Sequence, residues 1–371
     1  MNKLENRHLH QRSNEGLNPR DVPRVISWNT TFKCNLRCAH CYMDSDESTY
    51  NDELTTEEGK TLIDQLAVLS KPVLILSGGE PLMRSDIYEL ARYGTAKGLK
   101  MAMGTNGTLI DDKVAKKLAD SGVRSVAVSL DSSKPQIHDE FRGVKGAWQK
   151  AIEGAKACQR NGIAVRFNTT VTQQNFDDIE NILALAEDMN LQDVQLFFLV
   201  PTGRGKEVVD ITPEMYEQMI EDVLKKYSGH EMTVKPTCAP QFMRIADELG
   251  VDTSRWTRGC IAGMSYGRVY PDGEVTPCPY LPIKLGNIKD KPFKAIWADS
   301  PILKTLRDFS QLKGRCGACE YKLKCGGCRA RAYGLTTEFM DACGTLHEPH
   351  DLQGDFLAEE PWCTYQPEKE K

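Results

Sequence analysis

The segment Cys34-Asn35-Leu36-Arg37-Cys38-Ala39-His40-Cys41-Tyr42 decides how the rest of the chain is interpreted. Its three cysteines follow the spacing Cys-x3-Cys-x2-Cys. Three thiolates on one short loop can bind three irons of a cubane cluster and leave the fourth iron open for chemistry. β-Branched and aromatic residues dominate residues 24–33, which predict a strand running directly into this loop. The sequence thus predicts a cluster at the carboxyl end of the first strand.

The alternative at this loop is a zinc site or a set of unrelated core cysteines. Zinc in structural sites prefers four protein ligands, usually in paired Cys-x2-Cys units. Three cysteines with unequal gaps fit that pattern poorly, so the spacing favours an iron–sulfur cluster.

Length, charge and apolar pattern limit the class of protein. The 371 residues are 40% hydrophobic, which is enough for a packed core in one large domain or two. A net charge of −5 offers no basic field for a nucleic acid or an anionic membrane. Residues 1–22 are polar, and no apolar run reaches the roughly 18 residues of a membrane span. We therefore expect a cytoplasmic protein, in which the 13 cysteines are more often metal ligands than disulfides.

Strand-like and helix-like patterns alternate through the first half of the chain. Further strands are predicted at 72–77, 99–104, 123–130, 164–171 and 194–200. Helices are predicted from Thr55 or Thr56 onward and at 87–97, 111–121, 146–161, 176–189 and 212–228. Alternation of this kind implies an α/β fold with a parallel sheet and right-handed crossovers. Polar and glycine motifs follow nearly every strand, which favours a partial (β/α)6 TIM-like barrel over an open doubly wound sheet. Residues 1–22 are expected to be disordered or loosely docked.

Nine more cysteines lie between residues 238 and 363. They are Cys238, Cys260, Cys278, Cys316, Cys319, Cys325, Cys328, Cys343 and Cys363. Residues 266–278 predict a β-hairpin with a Pro-Asp-Gly turn, which would bring Cys260 and Cys278 near each other. The segment from Cys316 to Cys328 predicts a compact knuckle, for which zinc is the serious alternative. The remaining cysteine, Cys158, lies in a helical pattern and is predicted to be a core residue.

The Cys34 loop and these later cysteines together resemble the radical S-adenosylmethionine (SAM) superfamily with a C-terminal SPASM domain. The resemblance implies a partial barrel over 23–230 and a small cysteine-rich SPASM domain over 231–371. It implies that the open iron binds SAM, and that an electron cleaves SAM to a 5′-deoxyadenosyl radical, which takes a hydrogen from the substrate. A reductant such as ferredoxin or flavodoxin is the implied partner.

The same resemblance assigns SAM-binding residues. Gly78-Gly79-Glu80-Pro81 matches the family segment that meets the SAM amino group, although glycine and proline also mark ordinary turns. Ser129-Leu130-Asp131 matches the segment that contacts the ribose, with a helix cap as the alternative. His138-Asp139-Glu140-Phe141-Arg142 resembles the family segment whose arginine pairs with the SAM carboxylate. The implied SAM set is Tyr42, Gly78, Gly79, Glu80, Ser129, Asp131, Arg142, Asn168 and Leu199. The catalytic residues toward the substrate stay unassigned.

The resemblance also implies three [4Fe–4S] clusters. One takes Cys34, Cys38 and Cys41. Auxiliary cluster I takes Cys260, Cys278 and Cys328, and its fourth ligand is Cys238, another residue, or an open position for substrate. Auxiliary cluster II takes Cys316, Cys319, Cys325 and Cys363, ahead of Cys343 in the acidic insertion 337–355. The chain departs from the family pattern at Cys325-x2-Cys328, where three residues usually intervene.

Three features narrow the resemblance to the heme-biosynthesis branch, which includes the alternative heme pathway enzymes and the heme d1 maturases. They are residues 27–31, residues 237–241, and the pair of segments 325–333 and 355–363. Members act on tetrapyrrole side chains: oxidative decarboxylation of two propionates of iron-coproporphyrin III, or side-chain removal from siroheme derivatives. Basic residues that could hold the carboxylates, or lie exposed, are Arg204, Arg268, Arg329 and Arg331. The alternatives are a peptide maturase that forms thioether or carbon–carbon crosslinks, and an iron–sulfur electron carrier without enzymatic activity.

Overall fold

The computed structural model describes residues 22–336 and 354–367 except Thr49 and Thr257, together with the backbone of two short paired strands between those ranges. The predicted N-terminal disorder and Cys343 lie outside the described residues. The strands are β1 Val25–Asn29, β2 Val73–Ser77, β3 Lys100–Thr105, β4 Val123–Ser129, β5 Ala164–Val171, β6 Asp193–Phe198, β7 Thr233–Thr237, β8 Tyr266–Val269, β9 Glu274–Thr276, β10 Gly286–Asn287, β11 Phe339–Met340 and β12 Leu346–His347.

Helices cover the faces of the sheet. They are α1 Thr56–Leu69, α2 Ile87–Ala96, α3 Asp112–Asp120, α4 Pro135–Arg142, α5 Ala147–Arg160, α6 Ile179–Asp188, α7 Pro213–Tyr227, α8 Phe242–Glu248, α9 Phe293–Asp299, α10 Pro301–Arg307, α11 Gly314–Ala318 and α12 Arg329–Leu335. Short 3-10 turns occur at Pro81–Met83, Phe176–Asp178, Gly203–Glu207 and Phe309–Gln311.

The six strands predicted in the first half, and the helices predicted between them, are confirmed within a few residues. Strand β1 is shorter than the predicted 24–33 because the chain leaves the sheet after Asn29 to form the cysteine loop. Helix α1 begins with a capping box, in which the Thr55 side chain accepts from the Glu58 amide and Glu58 accepts from the Thr55 amide. Thr55, rather than Thr56, is therefore the cap. Helix α4 was not predicted as a helix.

One sheet of ten strands runs through the described chain, in the order β10-β9-β8-β1-β2-β3-β4-β5-β6-β7. Pairing is parallel from β8 through β1 to β7, and the β8–β9 and β9–β10 pairs are antiparallel. The antiparallel β8–β9 pair confirms the predicted hairpin. Three additions to the sheet were not predicted: β7 extends it beyond β6, β8 pairs with the free side of β1, and β10 pairs with β9.

Two glycines allow neighbouring elements to pack closely against buried tryptophans next to the sheet. Trp28 of β1 is fully buried, and a Cβ on Gly59 of α1 would lie 2.5 Å from its ring, so α1 approaches the sheet closely only because Gly59 has no side chain. Gly267 of β8 lies equally close to Trp297 of α9, again at 2.5 Å for an added Cβ. A glycine thus allows close packing on a buried tryptophan both at β1 and at its neighbour β8. Within the described residues, no helix combines the length and hydropathy that crossing a bilayer requires.

Candidate active site and cysteine groups

The cysteine loop leaves the carboxyl end of β1 and folds back on itself. Cys34 and Cys38 are buried, Cys41 is half-buried, and the three side chains pack together with Leu36 and Ala147. Burial raises the pKa of the Cys34 thiol to about 12, and the neighbouring thiols of Cys38 and Cys41 add to the effect. The three sulfurs predicted to bind one cluster are therefore neighbours. A bound metal would have to displace their protons, as thiolate ligation always requires.

The glycine segment after β2 is pressed against the start of this loop. Gly79 donates its amide to the Thr31 carbonyl and Glu80 donates to the Lys33 carbonyl, both at 2.8 Å. A Cβ on Gly79 would lie 2.2 Å from the Lys33 oxygen, and one on Gly78 would lie 2.7 Å from the Thr31 oxygen. Only glycine fits at either position, so this segment packs directly against the backbone that leads into the cysteine loop.

Glu80 is fully buried and connects the end of β2 with the end of β3. Its carboxylate accepts from the Thr105 hydroxyl at 2.8 Å, the Asn106 amide at 2.8 Å and the Leu82 amide at 3.2 Å. Burial raises the pKa of Glu80 to about 7 in spite of these donors. The Asn106 side chain in turn lies 3.9 Å from the Cys34 sulfur. These contacts support the loop, and a direct contact from Glu80 to SAM stays a prediction.

Asp131 and Arg142, which the sequence assigns to SAM, form a buried ion pair beside Cys38. The guanidinium donates from Nε and Nη2 to Asp131 Oδ2 at 2.6 and 2.5 Å, and its Nη1 lies 3.5 Å from the Cys38 sulfur. The Thr170 amide donates to the other carboxylate oxygen at 2.9 Å. Although burial opposes ionisation, Arg142 keeps the pKa of the Asp131 carboxyl below its ordinary value. The ion pair thus holds the Arg142 guanidinium in a fixed position beside the cysteine loop.

Two polar atoms close to these residues are buried without a described partner. Asn168, in register with Ser129 across β4 and β5, leaves its Oδ1 unbonded. His40 stacks on Phe141 with ring centroids 4.5 Å apart and leaves its Nδ1 unbonded. Burial, aided by Arg142, lowers the pKa of His40 to about 3, so the ring is neutral. His40 was missed, although an aromatic residue directly before Cys41 was the signal for it.

The other predicted SAM residues lie on the side of the loop that faces the C-terminal half. Leu199, directly after β6, is buried, and its carbonyl accepts from Arg331 at 2.8 Å. Tyr42 contacts Asn29 and Arg268 through its hydroxyl. Its described hydrogen bonds therefore connect it to β1 and β8 rather than to the glycine segment, and its role in SAM binding stays a prediction.

Arg204 braces the cysteine loop from the segment that follows β6. Its side chain donates to the carbonyls of Cys38 at 3.0 Å and Ser45 at 3.3 Å, and its amide donates to the Cys41 carbonyl at 3.0 Å. Arg204 is one of the four basic residues that the sequence offers as possible holders of a substrate carboxylate. Its described hydrogen bonds hold the loop instead.

One group of four cysteines surrounds the β8–β9 hairpin. Burial raises the pKa of the Cys238 thiol well above its ordinary value, and the thiols of Cys328, Cys278 and Cys260 raise it further. The structure therefore brings Cys238, which the sequence left open, together with the three cysteines assigned to auxiliary cluster I. Cys238 directly follows β7 and has a φ of 58°, in the left-handed region that a non-glycine residue seldom adopts. The unpredicted strand β7 is thus the element that delivers this fourth thiol.

A second group of four cysteines lines one cavity between α11 and the last described residues. Its members are Cys316, Cys319, Cys325 and Cys363. Burial raises the pKa of the Cys325 thiol, and the nearby thiols of Cys363 and Cys316 contribute. These are the four residues assigned to auxiliary cluster II.

A buried ion pair, Arg331–Glu360, lies between the two groups. Arg331 is 0% exposed and Glu360 is 1% exposed, and Arg331 Nη1 lies 3.3 Å from both carboxylate oxygens. Glu360 accepts from the Cys328 amide at 2.8 Å, and its own amide lies 3.3 Å from the Cys316 sulfur. Arg331 donates to the Cys238 carbonyl at 3.3 Å. The pair therefore touches both cysteine groups as well as the end of β6, and Glu360 was missed because no spacing pattern marks it.

The donor sets fit clusters. Each holds only thiols, which are soft ligands suited to iron–sulfur centres. Among the described residues, no three His, Cys, Asp or Glu side chains lie close enough to share one metal ion. A cubane is compatible with that wider spacing because each thiolate binds a different iron. The unbonded Asn168 oxygen offers a polar partner for SAM beside the first loop.

Comparison with known proteins identifies the family. The model of the radical SAM superfamily matches residues 28–186, and that of the SPASM iron–sulfur cluster-binding domain matches residues 260–328. An AdoMet-dependent heme synthase from Methanosarcina barkeri is 40% identical over 94% of this chain and 98% of that protein. The chain belongs to the radical SAM superfamily. It is a radical SAM enzyme with a SPASM domain, and its cofactors are SAM and [4Fe–4S] clusters.

Further similarities agree with this assignment. A second AdoMet-dependent heme synthase, from Oleidesulfovibrio alaskensis, is 36% identical over 93% of this chain and 88% of that protein. Similarity to these synthases confirms the resemblance to the heme-biosynthesis branch. The crystal structure of Streptococcus suis SuiB bound to S-adenosylmethionine covers 89% of this chain and 78% of that one, with a TM-score of 0.72 at 19% identity. That similarity confirms the radical SAM fold with its partial barrel.

Proposed function

We propose that this radical SAM enzyme oxidatively decarboxylates two propionate side chains of iron-coproporphyrin III to vinyl groups. The observation that carries the proposal is the 40% identity to a heme synthase over 94% of this chain and 98% of that protein. The fold alone does not indicate the substrate, because at 19% identity the similarity to SuiB shows only a shared fold. Peptide crosslinking has weaker support and is the alternative that the experiment below tests.

The reaction requires two different acceptors. Conversion of one propionate to a vinyl group removes one hydrogen atom, one carbon dioxide molecule and one electron. When bound, SAM and the clusters supply the hydrogen acceptor and the electron acceptor. A cytoplasmic donor such as ferredoxin or flavodoxin would supply the reducing electron.

The chain's own residues would keep the two acceptors separate. The Cys34 loop offers three thiols, and we propose that the open position beside it takes SAM between Gly78-Gly79 and the ends of β4 and β5. We propose Cys238 as the fourth ligand of auxiliary cluster I, because it completes a group of four thiols. Four cysteine ligands would leave no open iron, so this cluster would exchange electrons without binding substrate. The four thiols around Cys325 would bind auxiliary cluster II.

The test is an anaerobic reaction of the fully clustered protein with SAM, reductant and iron-coproporphyrin III, analysed by mass spectrometry. Loss of two carboxyl groups with two hydrogens, and one 5′-deoxyadenosine per vinyl group, is the expected result. Deoxyadenosine without a change in the porphyrin would overturn the substrate and lead to siroheme derivatives and then peptides. The control Cys41→Ala removes one thiol of the first loop and is expected to abolish deoxyadenosine while both later cysteine groups still bind iron.

A further inference from the structure

Four arginines were candidates to hold a substrate carboxylate, and their surroundings differ sharply. Arg331 is paired with the buried carboxylate of Glu360. Arg329 donates to two backbone carbonyls, at 3.1 and 2.7 Å, and Arg204 to two carbonyls around the cysteine loop. Arg268 differs from these three. Of the four, it is the one with neither a carboxylate nor a carbonyl oxygen among its described hydrogen-bond partners.

The environment of Arg268 is buried and lined by phenols. The residue is 2% exposed. Its Nη2 donates to the Tyr42 hydroxyl, and its Nε is buried with no hydrogen-bond partner. The guanidinium carbon lies 4.5 Å from the Tyr42 ring centre and 5.4 Å from that of Tyr270. A buried cation without an anion is unfavourable, since protein interiors stabilise charges mainly through paired opposite charges. A bound carboxylate would remove that penalty and accept from the unpartnered Nε.

The position of Arg268 matches the place where a reacting side chain must be held. Arg268 lies on β8 in register with Ser27 of β1, the strand that leads into the cysteine loop. Tyr42, its contact, directly follows Cys41. The ring of Tyr42 lies 5.5 Å from that of Tyr280, which follows Cys278 by two residues. The guanidinium therefore lies between the loop that takes SAM and the cysteine group that would accept the electron.

We infer that Arg268, with the phenol of Tyr42, binds a propionate carboxylate of the tetrapyrrole substrate. This inference rests on the proposed function. The planar guanidinium offers parallel donors for two carboxylate oxygens, and the protonated phenol of Tyr42 can turn to donate to the same group. The bound propionate is then fixed between the hydrogen acceptor and the electron acceptor.

The experiment is an anaerobic absorbance titration of the clustered protein with iron-coproporphyrin III, with iron content measured on each preparation. Arg268→Met removes the charge and keeps the apolar stem. Loss of a charged hydrogen bond predicts a Kd about 10- to 100-fold higher. Arg124→Met is the matched control, because Arg124 is exposed on β4 and its replacement changes the net charge equally. Its Kd is expected to stay at the wild-type value. The tetramethyl ester of the porphyrin lacks the carboxylates, so its affinity is expected to be the same for wild type and Arg268→Met.

The possible outcomes separate the inference from the proposed function. An unchanged Kd in Arg268→Met at full iron content overturns the carboxylate site while the function stands. Failure of the wild-type protein to bind the porphyrin overturns the function and, with it, the inference. If Arg268→Met does not take up iron, Arg268→Lys keeps the charge but loses the parallel donors. A Kd about tenfold higher for that variant supports the inference, and a wild-type Kd overturns it.

Discussion

Replacing Glu360 by Gln removes the only carboxylate paired with the buried Arg331 among the described residues. The change keeps the side-chain volume but leaves the guanidinium with the carbonyls of Leu199 and Cys238 as oxygen partners. In the wild-type protein, Arg331 and the Cys328 amide both donate to Glu360. The amide nitrogen that the substitution introduces would therefore face one of these two donors instead of accepting from it. Breaking a buried ion pair costs about 3–5 kcal/mol. Because two carbonyls and two aromatic rings remain around Arg331, we expect the lower value, about 3 kcal/mol.

The loss is measurable by anaerobic urea titration of the clustered protein, followed by circular dichroism. With an m-value of about 3 kcal/mol/M, a loss of about 3 kcal/mol lowers the midpoint by about 1 M. The control is Glu221→Gln, which breaks the surface pair of Glu221 with Lys225, whose side chains are 34% and 54% exposed. Exposed pairs one helical turn apart contribute about 0.3–0.5 kcal/mol, so this midpoint is expected to move by less than about 0.2 M. Equal midpoints for the two variants would refute the reasoning.

Three further predictions concern the site. Gly79→Ala places a methyl group 2.2 Å from the Lys33 backbone oxygen, so calorimetry is expected to show loss of SAM binding. In the control Gly334→Ala, the added methyl group lies 3.8 Å from the nearest backbone oxygen, so SAM binding is expected to be retained. Cys238→Ser is expected to contain less iron and sulfide per chain than the control Cys158→Ser, which replaces a cysteine buried in a helix. Equal iron and sulfide contents in the two variants would contradict the role of Cys238 as a fourth ligand. Because burial raises the pKa of Glu80 to about 7 from about 4.3 in the unfolded chain, the folded state binds the extra proton between these values. Its contribution to stability is therefore complete below about pH 4.3 and is lost as the pH rises to 7, and Glu80→Gln is expected to flatten that part of the urea-midpoint profile.

The sequence predicted the elements whose pattern is local. Strands β1 to β6 each form a short apolar or alternating run between helical patterns, and each was placed within a few residues. Strands β7 and β8 were missed as parts of the sheet for different reasons. Residues 233–237 are few and include Pro236, which is unfavourable in a strand interior. The hairpin containing β8 was predicted, but its pairing with β1 joins residues 241 positions apart, and no local pattern encodes that contact.

The site was predicted to the extent that spacing defines it. Cysteine spacing singled out the Cys34 loop and the knuckle from Cys316 to Cys328, because ligands on one loop must be close in sequence. The membership of the two later groups came from the family resemblance. The sequence did not decide whether Cys238 belongs to the group around the β8–β9 hairpin. That position depends on strand β7 and on an unusual backbone conformation, neither of which the composition reveals. The burial of Arg329 and Arg331 was equally hidden, since an arginine near a cysteine knuckle is usually exposed. Only their described partners show that both arginines support the protein's own structure. The division of the chain at residue 231 stays a prediction.

The continuity of the ten-stranded sheet has a consequence for how the chain can be divided. Strands β7 and β8 both come from the part predicted as the SPASM domain, and they cover the two outer sides of the β1–β6 sheet. A fragment that ends after α7 would leave β1 and β6 with unpaired backbone amides and carbonyls along parallel edges. Such edges are templates for association with other chains. The C-terminal half therefore also protects the N-terminal half from aggregation, and the barrel expressed alone is expected to self-associate even with its first cluster in place.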